Sequence, residues 1–294
     1  MRRLLLALTV ATAVLTACSA RKPAGLMLAV QTDLSMTKDL DQLGIYVLAN
    51  GTPILSETYM IEGGRVRLPS TIAIAPPANP PSAVRVRVVG FKGGSARIVR
   101  DAFTTVPTDR LAVLPLPLRW LDDGSAVGGD AEFQVNPFAK ARAKCAEGQT
   151  SDLGVCVDAN VPESKLALYE PAAIFGGGDE GAGSCFPTPA CFAGGVTQPL
   201  DETTCTIAKP AAPSNVAVVT NGDGDLVGTD AVIVLDEGSE WSAVGDRLQL
   251  PKALCAAPVR ARWKFVLTSA ACVTKTARYP ACGRYATGTP LSTK

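Results

Sequence analysis

The sequence predicts an all-β protein: an N-terminal antiparallel β-sandwich, immunoglobulin-like or transthyretin-like, followed by a disulfide-stapled β-rich domain of the sandwich or jelly-roll kind. Short stretches rich in β-branched residues recur between turn residues, with a spacing typical of sandwiches. Many of these stretches alternate apolar and polar residues, and none has the long three-to-four-residue apolar period of an extended helix. The chain therefore folds from many short strands.

The first eighteen residues, MRRLLLALTVATAVLTAC, form an export signal. Arg2 and Arg3 give a basic start, residues 4–15 form an apolar core, and small residues precede Cys18. The apolar core is too short to span a bilayer of about 30 Å as a permanent helix. An ordinary secretory signal, cut near Ala17 or Ala20, is the alternative.

The residues Leu15-Thr16-Ala17-Cys18 resemble the lipobox of bacterial lipoproteins. The resemblance implies that residues 1–17 are removed as a signal peptide and that Cys18 carries fatty acyl chains such as palmitate. Residue 19 is serine rather than aspartate, which in Gram-negative lipoproteins goes with sorting to the outer membrane. The whole pattern is similar to that of the predicted lipoproteins that Gram-negative bacteria with large genomes encode in number.

Residues 18–24 form a short tether, and residues 25–120 form the first predicted domain. Its seven predicted strands cover residues 26–32, 43–49, 54–61, 65–74, 83–91, 96–104 and 110–118. Val84, Val86 and Val88 alternate with Arg85 and Arg87, which predicts a strand with one buried face and one face in water. Glycine pairs and Asn-Gly mark the hairpin turns between strands.

Residues 121–144 are rich in Asp and Gly and are predicted to be a linker to a second domain, residues 145–294. This domain is again predicted to be β-rich, with strands at 215–220, 231–236, 247–251 and 259–273. In the last stretch, apolar residues alternate with basic ones over most of its length.

The cysteines support both the export signal and the domain boundary. Nine are present, and setting Cys18 aside leaves eight, all at or beyond Cys145. An even number in an exported chain predicts four disulfides. Pairing by proximity in the sequence gives Cys145–Cys156, Cys185–Cys191, Cys205–Cys255 and Cys272–Cys282, which is one of roughly 105 connectivities that eight cysteines allow.

The composition excludes several classes of function. The chain has 28 Lys and Arg, 27 Asp and Glu, and no histidine. The absence of histidine excludes imidazole-based catalytic triads and metal sites that need imidazole ligands. The near-neutral charge and the few aromatic residues argue against a nucleic-acid partner. We expect no cofactor.

Charge is unevenly distributed along the chain. Residues 60–120 contain nine basic and three acidic residues, whereas residues 121–180 contain four basic and eleven acidic ones. The two segments either pair with each other, or the basic one binds anionic envelope polymers, or both are solvated faces. The solvated faces are the simpler interpretation, since exposed pairs contribute under about 1 kcal/mol each.

Two features are candidate ligand sites. The tryptophans could serve as sugar platforms, and Trp241, in the turn-rich stretch EGSEWSA, is the first choice because Trp263 fits a core strand. Asn221, Asp223, Asp225 and Asp230 resemble a calcium loop in their spacing, but Val219 stands at the first ligand position. A hairpin turn accounts for the same residues, so no metal is expected.

Three functions follow in order of preference. The first is a lipid-anchored, non-enzymatic binding or structural module of the cell envelope, with the membrane and envelope proteins or polysaccharide as partners. The second is a lipid-anchored carbohydrate-binding module with Trp241 and the loop from Asn221 to Asp230 near the ligand. The third is a hydrolase with paired carboxylates such as Asp179/Glu180 or Asp236/Glu237, although neighbours on a strand point to opposite faces.

Overall fold

The computed structural model describes residues 23–34, 38–61, 66–76, 81–127, 144–176, 185–210, 214–222 and 231–281. Several sequence predictions fall outside these ranges: the signal peptide 1–17, the lipidated Cys18 and most of its tether, linker residues 128–143, Asp179/Glu180, the loop from Asp223 to Asp230, and Cys282. The described residues form an all-β protein with several sheets, as the sequence predicts.

The N-terminal part contains the seven predicted strands, six with small shifts at their ends and the fourth shortened from 65–74 to five residues. They are β1 (Gly25–Thr32), β2 (Gln42–Ala49), β3 (Thr52–Met60), β4 (Ser70–Ile74), β5 (Ala83–Lys92), β6 (Ser95–Thr105) and β7 (Leu111–Leu118). The turn between β2 and β3 is Asn50-Gly51, with φ angles of 48° and 80°. These angles are the reason for the Asn-Gly pair, because the hairpin turn needs positive φ at both positions.

The C-terminal part contains shorter strands and a few single-turn helices. The strands are β8 (Gln149–Asp152), β9 (Val155–Asp158), β10 (Ala167–Leu168), β11 (Val196–Gln198), β12 (Thr206–Ala208), β13 (Asn215–Thr220), β14 (Val232–Leu235), β15 (Ser242–Val244), β16 (Arg247–Gln249) and β17 (Trp263–Ser269). The α-helices are α1 (Pro171–Phe175), α2 (Thr188–Phe192) and α3 (Lys252–Cys255), and 3-10 turns cover Trp120–Asp122, Glu163–Lys165 and Val259–Arg262.

Two four-stranded sheets form the N-terminal sandwich. One has the order β10-β7-β1-β4 and the other the order β3-β2-β5-β6. The first strand therefore lies in the sheet opposite to the second and fifth strands, whereas an immunoglobulin domain keeps these three together. This order removes the immunoglobulin-like alternative and leaves the transthyretin-like one.

The sandwich departs from a purely antiparallel arrangement at one pair of strands. β1 and β7 run parallel over eight residue pairs, from Gly25 with Leu111 to Thr32 with Leu118. Parallel neighbours require a long connection, and here the five intervening strands supply it. Residue patterns cannot predict this pairing, because apolar alternation is the same for both strand directions.

The core of the sandwich lies between the two sheets. Leu26, Leu28 and Val30 of β1 face Val84, Val86 and Val88 of the opposite sheet, and each is at most 2 % exposed. The same apolar cluster continues into the C-terminal part, where it includes Ile207, Val216 and Trp263 among others. One continuous core therefore contains residues from both predicted domains.

Two strand details differ from the prediction. Arg87 lies on the outer face of β5, yet it is buried rather than in water, because that face of the sheet is also covered. Only Trp263–Ser269 of the predicted strand 259–273 is extended. Val259–Arg262 instead form a 3-10 turn, since the Ala261 amide donates to the Pro258 carbonyl rather than to a neighbouring strand.

Three disulfides join described cysteines, and they confirm half of the predicted pairing. Cys145–Cys156 and Cys205–Cys255 are paired as predicted. The pairing of Cys185 with Cys191 and of Cys272 with Cys282 is wrong, because Cys191 bonds to Cys272. Cys185 is disulfide-bonded as well.

The fold explains why the nearest cysteines do not pair. β11 follows α2 and lies beside β17, with Val196 opposite Thr268. This pairing brings the end of β17 against α2, where the Ser269 hydroxyl donates to the Cys191 carbonyl. Cys191 and Cys272 are thereby placed with their Cα atoms 5.5 Å apart, although 81 residues separate them in sequence.

The unequal distribution of charge is resolved by pairing within the chain. Basic residues of the segment 60–120 form ion pairs with acidic residues of the segment 121–180. The pairs are Arg97 with Asp123, Arg100 and Arg119 with Asp152, and Arg110 with Glu163. At these positions the two segments pair with each other, through side chains that remain partly exposed to solvent.

Candidate functional site

Cross-strand rows of side chains on the outer face of the sheet β3-β2-β5-β6 build the candidate site. Tyr46, Arg87 and Asp101 stand opposite one another on β2, β5 and β6, and the next row is Leu48, Arg85 and Phe103. Because these residues alternate with core residues, both rows point away from the sandwich core.

The first row is closed to solvent. Arg87 is 1 % exposed and Asp101 is 4 % exposed, and they form a two-pronged ion pair. Arg87 Nε donates to Asp101 Oδ1 at 2.7 Å, and Nη2 donates to Oδ2 at 2.6 Å. This geometry neutralises both charges and fixes the planes of both side chains.

The second row forms the floor of a cavity of about 440 Å³ at the end of the sandwich, which we call the sandwich-end cavity. Leu48, Arg85 and Phe103 form the floor, and the Asn50-Gly51 turn lies on one side. Residues 160–163 form the opposite wall. The Arg85 guanidinium lies 5.0 Å from the centre of the Phe103 ring. Desolvation lowers the pKa of Arg85 from its usual value, with Asp101 opposing that shift.

The wall of the cavity is held by backbone hydrogen bonds to β6. The Phe103 amide donates to the Ala159 carbonyl at 2.8 Å, and the Val161 amide donates to the Phe103 carbonyl at 2.8 Å. Arg110 adds a bond from its guanidinium to the Glu163 carbonyl at 2.8 Å. These contacts fix Asn160 beside Phe103.

Three neutral polar side chains, Asn50, Thr105 and Asn160, line the sandwich-end cavity with hydrogen-bonding capacity left over. The buried Thr104 is also among the lining residues, but it stands opposite the core residue Val84, so its side chain points to the sandwich core and away from the Phe103 side of the sheet. Asn50 uses its carbonyl oxygen to accept from the Ala83 amide at 3.0 Å, which leaves its NH₂ group. The side chains of Thr105 and Asn160 form no hydrogen bond with any described residue. The cavity therefore combines an aromatic floor with amides and a hydroxyl.

A second group of functional side chains lies between the sandwich and the C-terminal part, around a cavity of about 110 Å³ that we call the junction cavity. It contains Asp33, Arg119, Asp236, Glu240 and Lys275. Arg119 Nε lies 2.9 Å from Glu240 Oε1, and Lys275 pairs with Asp236. The Trp120 amide donates to Asp33 Oδ1 at 2.6 Å.

Burial and mutual repulsion perturb the acids of the junction cavity. Desolvation, with repulsion from Glu240, raises the pKa of Asp33 to about 8, although the Trp120 amide opposes the shift. Desolvation and the nearby Asp236 raise the pKa of Glu240 to about 7, against the attraction of Arg119. Burial alone would lower the pKa of Arg119, but the surrounding carboxylates, Glu240 first, raise it.

The predicted sugar platform is wrong, because all three tryptophans are buried. Trp241 is 4 % exposed, and its indole nitrogen donates to the Leu235 carbonyl at 3.2 Å. Trp263 is buried too and donates to the Leu254 carbonyl, while Trp120 lies under the Arg262 guanidinium. A turn-rich sequence around Trp241 did not imply exposure, since the indole packs into the core cluster.

The other predicted site residues are placed as follows. Asp223, Asp225 and Asp230 lie outside the described residues, and Asn221 donates its side-chain amide to the Ala261 carbonyl at 2.7 Å. Asp236 is bound to Lys275, whereas Glu237 is exposed on the adjacent turn. Within the described ranges, no group of three or more Cys, Asp or Glu side chains is arranged to hold a metal ion.

The sequence analysis predicted neither cavity, and the sequence contains only one pattern that could have indicated them. Phe103 and Asn160 are 57 positions apart and meet only through the pairing of β6 with the segment after β9. Asp33 follows β1 and Glu240 precedes β15, so neither is near the other in sequence. The charge difference between segments 60–120 and 121–180 was the one pattern that pointed to contact between them.

Comparisons with known proteins found no relative of this chain. No protein-family model matches the sequence, no curated protein matches it, and no solved structure matches it. In the part of the chain that the structure describes, no helix is both long enough and apolar enough to cross a membrane.

Proposed function

We propose that the chain is a lipid-anchored protein of the bacterial outer membrane that acts as a non-enzymatic binding module, with its ligand in the sandwich-end cavity. The observation that carries the binding function is the cavity lining. The side chains of Asn50, Thr105 and Asn160 lie around Phe103 in a space within the roughly 300–1,000 Å³ of typical ligand sites.

The anchor is supported by residues 15–18 and by the cysteines. LTAC ends an apolar stretch that is too short to be a permanent span. The disulfides among the described residues require an oxidising compartment, which agrees with export. Several acyl chains on Cys18, at about 0.8 kcal/mol per buried methylene, would hold the protein at the membrane.

A carboxylate-dependent hydrolase is the second candidate, and one observation favours it. Asp33 and Glu240 both have pKa values raised towards neutrality, a property that is common among catalytic acids. The junction cavity, however, is small, about 110 Å³, and the ion pairs of Arg119 and Lys275 line it. These contacts favour a structural role, so we rank the hydrolase below the binding module.

The anchor is tested by expressing full-length Cys18→Ser and following membrane fractionation and incorporation of labelled palmitate. We expect both to be lost, whereas the matched control Ser19→Ala should keep both. Retention of Cys18→Ser in the membrane fraction would show that the protein is held by another means.

The binding function is tested by capture from an envelope extract with the purified full-length chain. Components that the wild type retains should be lost from Asn160→Ala, which removes one wall residue of the cavity. The control is Thr197→Val, an exposed position on β11 outside the cavity. Equal capture by all three proteins would contradict the assignment of the ligand to this cavity.

A further inference from the structure

Resting on the binding function proposed above, we propose that the ligand of the sandwich-end cavity is a saccharide unit, recognised by Asn50, Thr105, Asn160 and the floor residue Phe103. The cavity places three neutral hydrogen-bonding side chains around a floor that includes Leu48 and Phe103. This combination decides the chemical class of the ligand.

A sugar ring presents two kinds of surface, and the cavity offers a partner for each. Its hydroxyls both donate and accept hydrogen bonds, as do the amide of Asn160 and the hydroxyl of Thr105. Its C–H face is apolar and suits Leu48 and the part of the Phe103 ring that the Arg85 guanidinium does not cover.

The charges around the cavity disfavour two other classes of ligand. The one carboxylate among its described lining residues, Glu163, is paired with Arg110 at 3.3 Å, so a cation would lack a free anionic ligand. The one lining cation, Arg85, lies against the Phe103 ring and forms part of the protein's own contacts. A neutral, hydroxyl-rich molecule therefore fits the lining better than a metal ion or a multiply charged anion.

The volume sets the size of the bound unit. About 440 Å³ is at the small end of ligand sites, which suits one or two sugar rings rather than an embedded polymer chain. The cavity is open at the sandwich end, beside the exposed Asn50-Gly51 turn, so a longer glycan could extend into solvent from the bound unit.

The test uses the full-length protein in detergent on an array of oligosaccharides that contains neutral hexoses, N-acetylhexosamines and uronic acids. We expect binding to at least one class, with an affinity that falls about fivefold in Thr105→Val and in Asn160→Ala, because each change removes a hydrogen bond. Thr197→Val is the matched control and should bind like the wild type.

Three outcomes separate this inference from the proposed function. Array binding that both cavity variants weaken supports the saccharide. Array binding that neither variant weakens overturns the cavity as its site. Absence of array binding, while envelope capture still depends on Asn160, overturns the saccharide and leaves the binding function standing.

Discussion

Asp33 provides the sharpest test of how the two parts of the chain are joined. Its carboxyl lies in the junction cavity among Glu240, Asp236, Arg119 and Lys275, and its pKa is raised to about 8 in the folded protein. In the unfolded chain its pKa returns to about 3.9. The folded state therefore holds the proton more tightly, so this group stabilises the fold most at low pH and loses that contribution as pH rises through 8.

The magnitude follows from the pKa difference. At pH 5 the unfolded carboxyl is already ionised. Between pH 5 and pH 9, Asp33 therefore loses a stabilisation that corresponds to about three pH units, from pH 5 to its folded pKa of about 8. At about 1.4 kcal/mol per unit, it is at most about 4 kcal/mol. Asp33 is partly exposed and shares its repulsion with Glu240, so we expect roughly 2 kcal/mol to be measured.

The perturbation is Asp33→Asn, which keeps an oxygen for the Trp120 amide and cannot ionise. Urea unfolding of the disulfide-bonded protein at pH 5, 7 and 9 gives the free energy of unfolding of each form. The variant should gain roughly 2 kcal/mol over the wild type between pH 5 and pH 9. The control Thr197→Val, at an exposed position, changes no titratable group and should differ from the wild type by the same amount at each pH. A difference for Asp33→Asn that stays constant, or reverses, would refute the reasoning.

Three further predictions concern the packing of the sheets and the cysteines. Asp101→Asn should lower the free energy of unfolding, measured in urea, by about 3–5 kcal/mol, because it leaves Arg87 charged and buried without its partner. The double variant Arg87→Met/Asp101→Leu should recover most of that loss. Gly44→Ala should lower the thermal midpoint and reduce the free energy of unfolding by about 1–3 kcal/mol, because its Cβ would lie 2.7 Å from the Tyr46 hydroxyl. An unchanged midpoint would mean that the Tyr46 ring moves freely. Peptide mapping without reduction should recover the Cys191–Cys272 link. Recovery of a Cys185–Cys191 link instead would contradict the contact between α2 and the end of β17.

The positions of the sandwich strands could be predicted because their signal is local. Alternation at Val84, Val86 and Val88 and the Asn50-Gly51 turn depend on neighbours in sequence, and the structure places strands and a turn there. The covered outer face could not be predicted in the same way. Arg87 looks like a solvated residue until Asp101 of the next strand is placed opposite it.

The candidate site was beyond sequence reasoning for a related reason. Trp241 was favoured from its turn-rich surroundings, but the burial of an indole depends on what packs over it, and Trp241 lies within the core cluster. Phe103 was an ordinary strand residue in the sequence. It became part of the floor of a cavity because residues 160–163 run beside the end of β6.

The ion pairs between the two charged segments also explain how the sandwich-end cavity keeps its shape. Arg100 and Arg119 pair with Asp152, the last residue of β8. Arg110 pairs with Glu163, the last residue of the cavity wall. Each pair is partly exposed and contributes little by itself. Together with the backbone bonds of Phe103 and the packing of Val161 against the core, however, they hold the wall in place. The uneven charge distribution of the sequence thus helps to position Asn160 beside Phe103, although the two residues are 57 positions apart.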